Sequence, residues 1–374
     1  MDELSDSEML DEIAPECLPW IDVRSDPTTH PLSVAACIVL YSFVFVLGLV
    51  GNLGVIVATL RYRSLQTVQN IFIVNLAVAD VILCILSIPL TPVTHIFKQW
   101  YFGEVLCKIF GAMQAIGVFI GTFFLCAIAV DRYFRLVGAP GRPLRKQDAL
   151  RITVSLWWWS TGCTIPYAYH MSLHSYDRIC GQFCTEKWSS ETIRIYYTIF
   201  VLVIQFIVPF TIMTICYHSI FAFLRRRAAN RLTSIGQQAN LLYVLAATAG
   251  GDSQQHKEQL SHLIDQKKRV IAQKRRVTII LVSMVAIFGV TSLPHNVVSM
   301  LLEHDQTILT VGDTDYQYIA SMVTHFLAML SCVANPLLYA FLNPEFRELI
   351  VSSLRWTPYV VVSRSWQPTQ TSIL

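Results

Sequence analysis

The sequence predicts an all-α membrane protein: a bundle of seven transmembrane helices followed by a short amphipathic eighth helix. Composition is the first reason. Of 374 residues, 54% are hydrophobic and only 14% charged, where soluble domains carry about 25% charged residues; the mean hydropathy is +0.49. Distribution is the second. The apolar residues gather into runs at 33–60, 68–96, 104–136, 148–169, 193–224, 272–303 and 315–341. Each exceeds the ~20 residues a helix needs to cross about 30 Å of hydrocarbon.

Residues 1–32 precede the bundle as an acidic tail, expected to be extracellular and disordered. The first 30 residues hold nine acids against one base, Arg24. No basic, apolar, small-residue cleavage pattern appears, so the first span is expected to serve as a signal anchor. Pro89, Pro166, Pro209, Pro294 and Pro336 interrupt later spans, which bundled membrane helices accommodate. With the N-terminus outside, 22 of the 28 Lys+Arg fall on the cytoplasmic side, as the positive-inside rule requires. The largest share, 11 from Arg225 through Arg276, lies in and just after a polar, Gln-rich third cytoplasmic loop at about 225–271. After the bundle (33–343), Asn343-Pro344-Glu345-Phe346-Arg347 opens the amphipathic helix 344–355, and a cytoplasmic tail occupies 356–374. The basic inner face fits anionic lipid rather than nucleic acid.

Several polar residues stand inside these apolar runs, where a charge is costly unless it is paired or performs a task. Asp131-Arg132-Tyr133 ends the third run. A carboxylate beside an arginine can hold that arginine, then release it toward a partner protein. Asn52 lies in the first run, Asp80 in the second, and Asn335-Pro336-Leu337-Leu338-Tyr339 closes the seventh. Pro209 with Tyr217 marks the fifth run, and Phe288 with Pro294 marks the sixth. In this order, these residues resemble the rhodopsin-like (class A) G-protein-coupled receptors over essentially the whole bundle.

The resemblance implies a plasma-membrane receptor that switches between two packings. Asp80 and Asn335 would hold a sodium ion; no other cofactor and no metal centre is implied. Arg132 would be freed to contact a heterotrimeric G protein of the Gi/o type, while Tyr217 and Tyr339 swing inward. Arrestin is a further implied partner. Two positions depart from the family. Ser292 replaces the usual tryptophan before Pro294, and Gly121 replaces the serine that completes the sodium shell, so sodium should bind weakly. The sixth helix begins Lys274-Arg275-Arg276 with no acid to pin Arg132. Restraint then falls on Asp131 alone, and basal activity is expected.

Cys37, Cys84, Cys126, Cys163, Cys216 and Cys332 lie within spans and read as packing residues. Cys17, Cys107, Cys180 and Cys184 face the oxidising exterior. The resemblance implies a Cys107–Cys184 disulfide, because Cys184-Thr185-Glu186-Lys187-Trp188 matches a hairpin frequent in peptide receptors of the family. Cys17 and Cys180 are left as a candidate second pair.

The ligand positions resemble the neuropeptide Y / neuropeptide F receptor branch. Gln114 stands where amine receptors carry an aspartate, and Met329 where light receptors carry the retinal lysine. Gln114, Gln205 and His325 match the branch, and Glu303 stands where its acid meets the arginine of an amidated peptide. Thr91, Thr94 and Asn296 would bond the terminal amide. The alternative is a class A receptor for another peptide, or for a small aminergic or lipid ligand. A transporter would show inverted repeats or broken helices, and a membrane enzyme clustered ligands or a nucleophile–base pair; neither pattern is present. Thr371-Ser372-Ile373-Leu374 fits a PDZ ligand, whose carboxylate enters a backbone nest.

Overall fold

In the computed structural model, residues 17–20, 25–138, 144–176, 178–248, 254–305 and 307–342 are described. Seven long helices form one bundle. They are α1 (Pro31–Arg61), α2 (Val68–Phe97), α3 (Gly103–Tyr133) and α4 (Lys146–His170), then α5, α6 (Gln254–His304) and α7 (Gln317–Leu342). The fifth, α5, runs Glu191–Leu202, passes a π turn at Val203–Ile207 and continues as Val208–Thr248. A hairpin, β1 (Met171–His174) with β2 (Phe183–Glu186), follows α4. A second small hairpin, β3 (Thr310–Val311) with β4 (Thr314–Asp315), joins α6 to α7. α1 packs on α2 and α7; α2 on α3, α4 and α7; α3 on α4 and α5; and α6 bridges α5 to α7.

The helices begin and end where local chemistry dictates. The side chain of Thr67 caps α2 by accepting from Asn70 N–H at 3.3 Å, one of the orphan donors at a helix start. Lys98 ends the same helix in the left-handed region, φ 51°. Along α1 the buried residues Cys37, Tyr41, Val44, Gly48, Asn52, Val55 and Thr59 recur every three or four positions, the helical period. Between them Val39, Phe43, Val46 and Val50 are exposed, which is the pattern of a helix whose outer face meets lipid. A Cβ on Gly48 would lie 2.9 Å from Cys84 Sγ, and one on Gly51 3.0 Å from Pro336 Cγ. Small residues here let α1 approach α2 and α7 closely.

Among the described residues, six helical segments are long and apolar enough to cross a membrane. α4 is the seventh in the bundle but less apolar, because Trp157-Trp158-Trp159, Ser160, Thr161, Thr164, Tyr167 and Tyr169 replace aliphatic residues. Its Trp157 indole donates to Asn75 Oδ1 at 2.9 Å, tying α4 to α2.

Two expectations need correction. The third connection, expected as a loop at about 225–271, is mostly helical: α5 continues to Thr248 and α6 begins at Gln254. No proline falls between Pro209 and Pro294, and the segment is rich in Arg, Ala, Gln, Leu and Lys, which favour helix. The tail 1–32, expected to be disordered, is ordered at 17–20 and 25–30. It includes a short 3₁₀ turn, Pro27–Thr29, capped by the Asp26 side chain. Residues 1–16, the eighth helix at 344–355 and the tail 356–374 lie outside the described residues.

Trp157→Phe deletes the indole N–H together with part of the ring, and a double-mutant cycle with Asn75→Ala isolates the interhelical hydrogen bond from the lost packing. Such bonds contribute about 0.6 kcal/mol on average and at most about 1.7 kcal/mol. The thermal midpoint of the detergent-solubilised protein should fall slightly, and strictly additive losses in the cycle would show that the bond contributes nothing.

Candidate ligand cavity and signalling end

The bundle encloses an open-mouthed cavity with about 910 Å³ of unfilled space, mouth included. Gln114 of α3, Gln205 of α5, His295 and Asn296 of α6 and His325 of α7 line its upper chamber. The floor reaches Asp80, Asn335 and Tyr217.

Local backbone chemistry explains how Gln205 comes to line it. Pro209 lacks an N–H, and its ring presses on the carbonyl four residues earlier in a regular helix. The π turn Val203–Ile207 accommodates this, with Val208 N–H bonding back to Val203 O. Beneath it Phe206, Phe210 and Phe288 stack, with centroids 5.6 to 6.5 Å apart. Phe288 is thus held between α5 and α6. Gly121 and Ser292 both line the cavity, so neither position contributes a bulky side chain that would divide the upper chamber from the floor.

His325 lines the cavity but is internally committed. Tyr41 O–H donates to Met322 O at 2.8 Å, so His325 Nδ1–H must donate to the Tyr41 oxygen, 3.1 Å away. Its Nε2 then accepts from Ser87 Oγ at 2.8 Å. His325 therefore braces α1, α2 and α7. Thr91 lies 3.5 Å from the same nitrogen, and Thr94 donates to Thr91 O at 2.9 Å; neither is among the lining residues. Asn296 donates to Ser292 O at 2.7 Å. Glu303 lies in the last turn of α6, and its side chain is outside the described residues.

His295 escaped the sequence reading. It lines the cavity with its ring 6.0 Å from that of His325, and its Nδ1 is buried with no hydrogen-bond partner. Its position, next to Pro294 and one residue before Asn296, was the available signal.

Deeper, Asn335 donates to Asp80 Oδ2 at 2.9 Å. Asn52 donates to both Gly48 O and Cys332 O at 2.8 Å, joining α1 to α7. Pro336 packs at Gly51, and Pro294 lies within α6. At the opposite end from the cavity mouth, Tyr217 donates to Met284 Sδ at 3.3 Å. Tyr339 Oη and Arg132 Nε are buried without a hydrogen-bond partner.

Contrary to expectation, Asp131 is not held for Arg132 alone: its Oδ2 accepts from Arg135 Nε at 2.8 Å. Arg135 stands one helical turn beyond Asp131 and is the better-placed hydrogen-bond partner, while the Asp131 charge still acts on Arg132 through space. Tyr133 follows in the last turn of α3, its ring 5.5 Å from that of Phe134. At the mouth, disulfides join Cys107 to Cys184 and Cys17 to Cys180. The first holds β2 against the start of α3.

A seven-helix bundle with a polar seam, a deep cavity at one end and a buried arginine at the other defines a transmembrane receptor. The model of the seven-transmembrane receptors of the rhodopsin family matches residues 51–339, and the chain belongs to that family. It is 41% identical over 349 residues to Neuropeptide receptor npr-1 of Caenorhabditis elegans, covering 90% of this chain and 76% of that one. With the Neuropeptide F receptor of Drosophila melanogaster it shares 30% identity over 321 residues, 83% of this chain and 60% of the relative. With Neuropeptide Y receptor type 6 of Mus musculus the identity is 26% over 328 residues, 85% of this chain and 80% of the relative. The chain stands with the neuropeptide Y and F receptor branch of the class A G-protein-coupled receptors: a multi-pass membrane receptor, not an enzyme.

The Asp131–Arg135 pair makes a testable claim about the resting state. Arg135→Ala should return Asp131 to Arg132 and lower ligand-independent nucleotide exchange on a G protein. Arg135→Lys, which can keep the pair, should not. Equal exchange in all three proteins would rule out a role for this pair.

Proposed function

We propose that this receptor sits in the plasma membrane with its N-terminus outside and C-terminus inside, binds an amidated neuropeptide of the neuropeptide Y/F or Arg-Phe-amide type, and activates Gi/o. The observation that carries the reading is the charge of the cavity. Among the described residues that line it, the only carboxylate is Asp80, at the floor and bonded to Asn335, and no Lys or Arg occurs. An ammonium ligand finds no counter-ion in the upper chamber, and neither does a carboxylate. Gln114, Gln205, His295 and Asn296 suit a neutral amide, which both donates and accepts. The names of the relatives support a neuropeptide. A second reading, a small lipid-like ligand, draws on the apolar depth formed by Leu76, Met213, Met284 and Phe288. Arrestin and a PDZ protein are proposed for the cytoplasmic side on sequence grounds alone.

Glu303, at the mouth end of α6, would meet the arginine of the peptide. Truncating one partner of such a charge pair costs about 2–5 kcal/mol, so Glu303→Gln should weaken agonist potency severely while surface expression stays normal. A potency equal to the parent's would refute the assignment. The comparison of each peptide with its free-acid form tests the reading as a whole: only the amide should activate.

The residues fit a sodium ion poorly. One Asp80 oxygen is occupied by the Asn335 amide, and Gly121 offers no side-chain oxygen, so no step of the switch is routed through the ion. Replacing sodium by N-methylglucamine should leave agonist affinity nearly unchanged. A marked rise in affinity without sodium would restore the ion to the site.

A further inference from the structure

The segment before α1 is tied to the bundle at successive points. Cys17 is bonded to Cys180. Leu18 pairs with the same loop, its N–H bonding Arg178 O and its carbonyl accepting from Cys180 N–H, both at 2.9 Å. The Trp20 ring lies 5.9 Å from Phe183 of β2 and 6.3 Å from Tyr318 of α7. Ser25 O accepts from Asp315 N–H at 2.9 Å, on the second hairpin. One hairpin follows α4 and packs on α3, while the other joins α6 to α7. The described residues 17–20 and 25–30 thus contact both hairpins, at the end of the bundle where the cavity opens.

Asp26 supplies the strongest hold. Lys98 Nζ lies 2.6 Å from Asp26 Oδ2, and both side chains are only 1% exposed. The ammonium also donates to Thr28 Oγ1 at 2.8 Å and to His95 O at 2.6 Å, and it stands 3.6 Å above the Tyr318 ring. Its left-handed backbone at the end of α2 directs it there. The closed arrangement carries costs of its own. Burial draws the Lys98 ammonium below its ordinary range against the opposing pull of Asp26, and Trp20 Nε1 is buried without a hydrogen-bond partner. Both groups regain water if the segment swings away, while the Cys17–Cys180 bond keeps its far end tethered.

We infer that residues 17–20 and 25–30 form a latched lid across the mouth of the ligand cavity, and that Lys98 is the positioning residue whose grip on Asp26 sets how readily a ligand enters. The lid narrows the entrance on the side of α1, α2 and α7 and leaves the side of α5 and α6 as the path in. A ligand must thread that path or release the latch, so the latch selects for slender, extended chains over bulky ones.

The test reads access to the cavity without any ligand. In purified receptor carrying Gln114→Cys, the rate of labelling by a bulky uncharged thiol reagent, too wide for the path beside α5 and α6, should rise about tenfold or more with Lys98→Met, because losing one member of a buried ion pair strongly destabilises the contact. Asp26→Asn should act in the same direction, as should the paired Cys17→Ser and Cys180→Ser, and Lys98→Arg should stay near the parent rate. If Lys98→Met fails to fold, Asp26→Asn carries the same test. Unchanged labelling in the folded variants, even with a lowered thermal midpoint, would reduce the segment to a structural brace and overturn the lid. The consequence for peptides rests on the proposed ligand: association and dissociation should both quicken in Asp26→Asn. Faster labelling with no peptide response in any variant would leave the lid standing and remove the peptide reading instead.

Discussion

A polar group buried between membrane helices has no water to fall back on, so each must find its partner within the protein. That constraint organises the interior. Asn52 spans α1 and α7 through two carbonyls, Asn335 of α7 holds Asp80 of α2, and Trp157 of α4 holds Asn75 of α2. His325 ties Tyr41 of α1 to Ser87 of α2. The bonds converge on α2 and α7, which face each other across the centre. Lipid supplies no hydrophobic force between helices, so this seam and the close approach at Gly48 and Gly51 fix which faces meet.

The cavity is shaped by where that seam is interrupted. With Ser292 and Gly121 both lining it, the space runs from Gln114 to Asp80 without a bulky side chain at either position. Of the Phe206–Phe210–Phe288 stack beside it, Phe288 lines the cavity and meets whatever enters. In the proposed reading, a ligand pressing on Phe288 would push on the contact between α5 and α6, which one turn further in also holds the Tyr217–Met284 bond.

Hydropathy and motif order made the bundle legible in the sequence, because crossing a bilayer imposes a length and a composition that few other folds share. The cavity-lining Gln114, Gln205 and His325 were legible too, since each matches a position of the neuropeptide Y/F branch. Other features were hidden for physical reasons. The extended α5 and α6 are polar outside the hydrocarbon, and polarity reads equally as loop or as solvated helix. Asp26 looked like one more acid in an acidic tail, and Lys98 like a stray base; only folding brings them within 2.6 Å. Asp131 was read with its sequence neighbour, although a helix presents the residue one turn away as the nearer partner. His295 carried no offset rule and was passed over.

Both ends of the bundle hold buried polar groups without a hydrogen-bond partner, Trp20 Nε1 and His295 Nδ1 near the mouth among them. Near the mouth the Lys98 ammonium is surrounded by acceptors and the Tyr318 ring, and the histidines His95 and His325 are bonded at both ring nitrogens. At the other end Arg132 Nε, Tyr339 Oη and Asp131 Oδ1 are buried with no hydrogen-bond partner. Unsatisfied buried groups cost about 1–3 kcal/mol each, and more when charged. In the proposed reading, a G-protein segment inserted beside Arg132 would supply partners to these groups and regain that free energy on binding, which would favour a packing that makes room for it.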